Sequence, residues 1–267
     1  MHTAATFSYT VCMTLTQLDS YFDSFLQRDR YSADPSRNGI QIQNTQPDSK
    51  QIKTVAFATD ACEATALEAA KLGADVLFVH HGILWGGCER ITQSFYSRVK
   101  AFIQNDLALY ASHIPLDANE EVGNNYGLAR RLHLQNPVPF GQWHGMTIGV
   151  SGTLPQTLTP EQLAEKLFPD GEKANRIFSF GKTQINTVAI ISGGAAEDVS
   201  QAYEQGFDAY ITGEVMHQDF HVIKELGMTV IAGGHYQTET VGVKQVMQKM
   251  QNETDIRGVF IDIPTGL

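Results

Sequence analysis

The segment ADVLFVHHG, residues 74–82, is an apolar run that ends in two histidines and a glycine. Such a run has the composition of a buried strand. In open α/β sheets the groups that bind ligands follow the carboxyl ends of the strands. We therefore expect His80 and His81 to lie just past a strand end, where the chain turns and both side chains reach one site. Taken alone, the pair fits a simple hydrogen-bonded strand cap equally well.

Similar short apolar runs alternate with helical patterns along the rest of the chain, which is typical of an α/β protein with a parallel or mixed sheet. The first helix is expected to begin at an N-cap residue, Thr16, with an apolar stripe behind it. The predicted strands are 54–59, 75–79, 107–111, 187–192, 208–212, 228–232 and 259–263.

Several features recur in the same order in the two halves of the chain. The tripeptide TLT precedes a helix at residue 14 and again at residue 157, and the spacing from Val55 to Asp75 equals that from Val188 to Asp208. A generic βαβ unit would also give that spacing. The pattern predicts two similar α/β halves, residues 13–135 and 136–267, after an N-terminal extension of residues 1–12. The predicted site lies at the strand ends between them.

Two further segments carry a histidine followed four residues later by a carboxylate, each just after a predicted strand. They are His113 with Asp117 and His235 with Glu239. Pro115 stiffens the first turn, and a glycine pair precedes His235. Imidazole and carboxylate ligands without thiolates suit zinc, iron, manganese or nickel and argue against a closed structural zinc site. With the two strand-end histidines there are more donors than one four-coordinate ion needs, which favours two bridged ions.

The composition narrows the class of protein. A net charge of −10 disfavours nucleic acid and anionic membranes as partners. The three cysteines Cys12, Cys62 and Cys88 form neither a disulfide framework nor a zinc ribbon, so we expect a reducing compartment and a cytoplasmic location. No membrane span is expected. Among the remaining histidines, His221 is expected to line the site and His217 to lie at the surface.

The motifs, taken in order, resemble those of the NIF-three-like family, whose members are called GTP cyclohydrolase 1 type 2 homologues. The resemblance runs from about residue 13 to the closing FIDIP and rests on NGI (38–40), VHHG (79–82), SHIPLDA (112–118), GNN (123–125), YITGE (210–214) and GGHYQTE (233–239). It implies that two metal ions are held by His80, His81, Asp117, His235 and Glu239. It also implies that Glu239 bridges the ions, that His113 and Glu214 act beside them, and that the protein is a toroidal homohexamer.

Two functions remain open at this point. The first is a metal-dependent hydrolase of a nucleotide-like or other small molecule, with His113 or Glu214 moving protons. The second is a non-catalytic metal-binding scaffold or metal-handling protein. Turnover that is lost on chelation would separate them.

Overall fold

A computed structural model describes residues 13–267, which form a mixed α/β structure on two β-sheets. The α/β class predicted from the alternating strands and helices is confirmed. The predicted N-terminal extension, residues 1–12, lies outside the described residues. Of the cysteines inside them, Cys62 and Cys88 are both free thiols.

The strands account for every run predicted from the sequence and add four more. In chain order they are β1 (Gly39–Ile42), β2 (Thr54–Asp60), β3 (Val76–His81), β4 (Ala108–Ala111), β5 (Gln135–Trp143), β6 (Met146–Leu158), β7 (Arg176–Ser179), β8 (Ile185–Ile190), β9 (Ala209–Thr212), β10 (Thr229–Ala232) and β11 (Arg257–Phe260).

The helices lie between the strands. They are α1 (Leu15–Leu26), α2 (Glu63–Lys71), α3 (Gln93–Gln104), α4 (Ile114–Asp117), α5 (Asn124–Arg131), α6 (Pro160–Leu167), α7 (Val199–Glu204), α8 (Asp219–Leu226) and α9 (His235–Glu253).

The first sheet has the strand order β1-β4-β3-β2-β11. Strands β4, β3, β2 and β11 are parallel, and β1 pairs antiparallel with β4 at one edge. Residues of α1 and α9 pack on one face, while residues of α2 and α3 pack on the other. Burial on both faces explains why β2, β3 and β4 are apolar almost throughout.

The second sheet has the order β5-β6-β8-β9-β10-β7. Its central strands β8, β9 and β10 are parallel, whereas β6 and β7 pair antiparallel with β8 and β10. The long β5–β6 hairpin was not predicted. Its Pro137 and Pro139 lie in the edge strand β5, where proline is tolerated, and Pro155 lies where the register between β6 and β8 shifts. His144 and Gly145 form the two-residue turn with φ of 48° and 79°, and positive φ at both central residues is what a type I′ hairpin requires.

The two sheets share one local hydrogen-bond arrangement at the start of a strand. Asp75 Oδ2 accepts hydrogen bonds from the backbone N–H groups of Lys53 and Thr54 at 2.8 and 3.2 Å. Asp208 Oδ2 accepts them from Asn186 and Thr187 at 2.8 and 3.0 Å. In each half, the aspartate before one strand therefore fixes the start of the neighbouring strand.

The predicted start of α1 at Thr16 is wrong by two residues. Thr14 is the N-cap and forms a capping box with Gln17, whereas the hydroxyl of Thr16 bonds to Asp48 Oδ1 at 2.7 Å. Thr159 caps α6 in the same way through Gln162. The N-cap is the first threonine of TLT in α1 but the last threonine of TLT in α6. The positions that correspond are therefore the two T-x-x-Q capping boxes and not the two TLT tripeptides.

The C-terminal strand does not follow the boundary drawn at residue 136. Strand β11 pairs parallel with β2 and so belongs to the first sheet. Helix α9 leads the chain from the second sheet back to the first. Its Val241 packs in the core of the second sheet, and its Val243 and Val246 pack in the core of the first. This shared helix carries His235 and Glu239 into the space between the sheets.

Candidate metal centre

His80 and His81 are the last two residues of β3, not residues beyond its end as predicted. Their rings nevertheless lie close, with centroids 4.5 Å apart. His80 is fully buried, and its Nδ1 lies 2.9 Å from the carbonyl oxygen of Ser112. His81 Nδ1 lies 2.8 Å from Asp60 Oδ1, across the strand pairing that puts these two residues side by side.

His113 and Asp117 stand at the two ends of the short helix α4, directly after β4. The Asp117 carboxylate is buried, and its Oδ1 accepts hydrogen bonds from Asn124 Nδ2 at 2.9 Å and Ser192 Oγ at 3.0 Å. His113 Nδ1 lies 2.9 Å from Asp34 Oδ1. The second half of the chain therefore helps to hold an aspartate of the first.

His235 and Glu239 lie one helical turn apart at the start of α9, so their side chains share a face. Gly234, with φ of 100°, makes the turn that precedes the helix, as the glycine pair predicted. His235 Nδ1 lies 3.0 Å from Glu214 Oε1. Gly193 lies against this face, where a Cβ atom would collide with Glu239 Oε1, so glycine is required for this close approach of the segment after β8 to α9.

These side chains form three overlapping groups whose candidate ligand atoms lie within 4.8 Å of one another. The groups are His80 with His81 and His113, His81 with His235 and Glu239, and His80 with Asp117 and Glu239. All five predicted ligands and His113 thus come together from three segments. Glu239 belongs to two groups: its Oε1 lies 3.4 Å from His80 Nε2, and its Oε2 lies 3.2 Å from Nε2 of both His81 and His235.

Each of the four histidines has an oxygen atom against its Nδ1. The partners are the Ser112 carbonyl for His80, Asp60 for His81, Asp34 for His113 and Glu214 for His235. Such partners fix the ring tautomer and orientation in metal sites. Sequence reasoning missed Asp34, Asp60 and Ser192. Asp60 and Ser192 lie at the ends of predicted strands, which was a usable signal, but nothing local marks Asp34.

The charges of the metal-free cluster depend on one another. Burial by itself would lower the pKa of His80, but the carboxylates of Asp117 and Glu239 raise it to about 10. Burial also opposes protonation of His235, while Glu239 and Glu214 raise its pKa to about 9. Burial alone would raise the pKa of Glu239, yet the imidazoles of His81 and His80 hold it well below its usual range. The buried cluster thus needs cationic charge beside its carboxylates.

Two buried atoms without hydrogen-bond partners also indicate that the donor set fits metal ions. In the described part of the chain, the buried His80 Nε2 and Glu239 Oε2 have no hydrogen-bond partner. Buried polar atoms left in this way are costly. Both atoms face the centre of the cluster, where a divalent ion would satisfy them.

A cavity of about 420 Å³ opens beside the cluster and is lined by residues of both halves, including His81, His113, Asp117, Glu214 and Glu239. A larger cavity of about 620 Å³ lies elsewhere, next to α1 and α5, and none of the clustered histidines lines it. The candidate ligand groups therefore border the smaller cavity.

Comparison with known proteins identifies the family. The model of the Duf34/NIF3 family (NGG1p interacting factor 3) matches residues 13–265. The chain belongs to the Duf34/NIF3 family. This confirms the resemblance drawn from the motifs, all of which fall inside the matched region.

Relatives in the Duf34/NIF3 family match over nearly the whole chain. The GTP cyclohydrolase 1 type 2 homolog of Treponema pallidum is 40% identical, with 96% of this chain and 100% of the relative covered. Among solved structures, TTHA1606 from Thermus thermophilus is 34% identical with a TM-score of 0.86, and protein ybgI, described as of unknown function, is 31% identical with a TM-score of 0.84. Both alignments cover 96% of this chain and 100% of the other.

The other predicted residues, Glu214, His217 and His221, lie in different surroundings. Glu214 of the TGE motif lines the cavity. His221 was predicted to line the site, but it lies on an exposed face of α8 and does not border the cavity. His221 is exposed because α8 buries Ile223, which points to the other side of the helix. His217 is exposed, as predicted. None of the helices within residues 13–267 of this Duf34/NIF3 chain is both long and apolar enough to cross a bilayer.

Proposed function

We propose that this protein is a metal-dependent hydrolase that holds two divalent ions in the cluster and acts on a small molecule in the adjoining cavity. The observation that best supports it is the position of Glu239. One of its oxygens faces His80 and the other faces His81 and His235. A carboxylate between two sets of imidazoles is arranged as a bridging ligand.

The donors divide into two sets around that bridge. His80 and Asp117 lie on one side of Glu239, and His81 and His235 lie on the other. Nitrogen and oxygen donors without a thiolate suit zinc, iron, manganese or nickel. Bound in pairs, such ions lower the pKa of water and polarise a substrate oxygen.

His113 is the side chain best placed to move a proton. It lines the cavity, its ring lies 5.1 Å from that of His80, and Asp34 fixes its Nδ1. Its Nε2 is therefore the atom that would pass a proton to a leaving group. Glu214 contacts His235 directly, so we assign it first to positioning that ligand.

The cavity favours this proposal over a scaffold or metal-handling role. A storage site has no need for a cavity of about 420 Å³ beside its ligands, whereas a small-molecule substrate needs a pocket. We therefore favour the enzyme over the non-catalytic reading.

The test compares wild type with Glu239→Gln and with Glu165→Gln, a matched control on the exposed side of α6. Metal content is measured first, and a panel of nucleotides, phosphoesters and cyclic amides is then assayed. We expect Glu239→Gln to remain folded by circular dichroism, to lose the metal pair and to lose turnover, while Glu165→Gln behaves as wild type. A fully metallated wild type that turns over none of the panel would favour the scaffold reading.

A further inference from the structure

The cavity beside the metal centre has aromatic side chains from both halves of the molecule. The chain contains two tryptophans, Trp85 and Trp143, and both line this cavity. Trp85 follows β3 and donates its Nε1 hydrogen to the carbonyl of Gly82 at 3.0 Å, with its ring 5.0 Å from that of His113. Trp143 ends β5 at the hairpin turn. Two half-buried indoles next to the ligands offer flat surfaces on which a ring can stack.

Apolar side chains complete this part of the lining. Ile114, Ile148 and Ile191 are buried and border the same cavity. Small-molecule sites usually combine apolar and aromatic side chains with polar groups that orient the ligand. The apolar part of this lining, with its two indoles, therefore favours a planar ring.

The charge of the lining is negative. Outside the candidate metal ligands its carboxylates are Glu197, Asp198 and Glu214, and among the described residues that line it there is no lysine or arginine. Arginine and lysine are the side chains that usually hold phosphate groups. A polyphosphate tail that extends beyond the metal ions would meet carboxylates with no cationic side chain.

Several backbone N–H groups beside the cavity are likewise unavailable to an anion. The SGGAAED turn, residues 192–198, was a weak candidate for anion binding through its N–H groups. Three of these groups already donate inside the protein: Ser192 to Asn125 Oδ1, Gly193 to Thr238 Oγ1 and Ala195 to Thr212 Oγ1. These three N–H groups are therefore not free to bind an anion.

We infer that the substrate is a planar heterocycle, neutral or cationic and without a phosphate group, whose ring lies between the tryptophans and the metal ligands. As a statement about substrate, this rests on the hydrolase proposed above. For a ring amide, hydrolysis adds one water across the C–N bond, with the hydroxyl on carbon and the proton on nitrogen. The charge and shape of the pocket can be tested by binding alone.

The binding test uses tryptophan fluorescence, because both tryptophans of the chain lie at the pocket, with calorimetry as a second measurement. Three ligands share one ring and differ in charge: 1-methylnicotinamide, nicotinamide and nicotinate. A second series adds phosphates to one ring: guanosine, its monophosphate and GTP. We expect the cationic and neutral rings to bind at least about tenfold more tightly than nicotinate, and affinity to fall with each phosphate. Tightest binding by nicotinate or GTP, or no binding by any ring, would overturn the inference.

Variants assign the binding to the named residues. Trp143→Ala should weaken ring binding by about tenfold, as expected for loss of one aromatic contact, whereas Trp143→Phe should keep most of it. Glu197→Gln should reduce the preference for the cationic ring, and Glu204→Gln, a matched exposed glutamate at the end of α7, should not. Unchanged ring affinity in Trp143→Ala would contradict the stacking geometry.

The outcomes also separate this inference from the hydrolase proposal. If the rings bind as described but are never hydrolysed, the hydrolase proposal is refuted and the ring-binding pocket is supported. Hydrolysis restricted to phosphorylated compounds that bind more tightly than their parent rings would support the hydrolase and refute the ring assignment.

Discussion

At the scale of single residues, the candidate metal centre is defined by how its histidines are held. Each ring uses Nδ1 for an oxygen of the protein, and for His80, His81 and His235 the Nε2 atom faces Glu239. A ring held at one nitrogen loses little freedom when the other binds an ion. The cluster is therefore preorganised for metal.

Metal binding should release protons. In the metal-free protein the raised pKa values of His80 and His235, about 10 and about 9, keep both rings protonated at neutral pH. An incoming ion must displace these protons, so affinity should rise with pH until about pH 9 to 10. Calorimetry in buffers of different ionisation enthalpy measures the release. Metal affinity that is constant from pH 6 to 9 would contradict it.

The same pKa shifts predict how the metal-free protein responds to alkali. Groups with raised pKa values stabilise the folded state below their unfolded pKa, and that contribution is lost as pH rises through the folded value. The melting temperature of the metal-free protein should therefore fall as pH rises from about 6.5 to about 9 to 10. With metal bound the fall should be smaller, because the ion replaces the protons. Equal falls with and without metal would argue against this assignment.

Asp60→Asn should weaken metal binding without unfolding the protein. Asp60 holds His81 Nδ1 at 2.8 Å and is not itself in the ligand groups. Loss of such a partner typically costs about 10- to 100-fold in metal affinity or activity. Competition with a chromogenic chelator measures the change, and Asp29→Asn, an exposed aspartate, is the control. Equal affinities in the two variants would show that Asp60 does not position the ligand.

At the scale of elements, strand ends and one long helix build the site. Strands β3 and β4 bring their histidines to one edge of the first sheet, as parallel neighbours must. Helix α9 adds its first turn from the opposite side and then packs along both cores. Its position ties the stability of the fold to the geometry of the site.

The start of α1 gives a test at this scale. Thr14→Ala should destabilise the protein by about 1 kcal/mol, because it removes the N-cap hydroxyl. Thr16→Ala should cost less, since that exposed hydroxyl bonds only to the neighbouring loop. Urea unfolding of both variants makes the comparison. A larger loss from Thr16→Ala would restore the N-cap first predicted from the sequence.

At the scale of the whole molecule, the two halves complete one site together. Ser192 of the second half contacts Asp117 of the first, and Glu239 of the second half lies against His80 and His81 of the first. The site therefore depends on how the halves are packed against each other.

The homohexamer implied by the family resemblance stays a prediction. Sedimentation equilibrium should give six times the 29.4 kDa of the single chain. Large apolar side chains on the outer helices of the first sheet, including Leu67, Tyr96 and Ile103, are exposed in the single chain and offer surface for such an assembly. A species of single-chain mass at micromolar concentration would refute the prediction.

The sequence by itself determined the α/β class, the buried strands and the segments that carry the ligands. These features depend on local patterns: apolar runs bounded by glycine and polar residues, and His-x-x-x-carboxylate spacing after a strand. The strand pairing of Asp60 with His81, by contrast, depends on which strands become neighbours.

Only the tertiary structure decided the rest, because it depends on contacts between distant residues. Asp34 reaches His113 from 79 residues away, and nothing near it in the chain marks that role. The return of β11 to the first sheet likewise depends on how α9 packs between the cores. Side-chain periodicity reports which face of an element is buried, but only packing sets which other element covers that face.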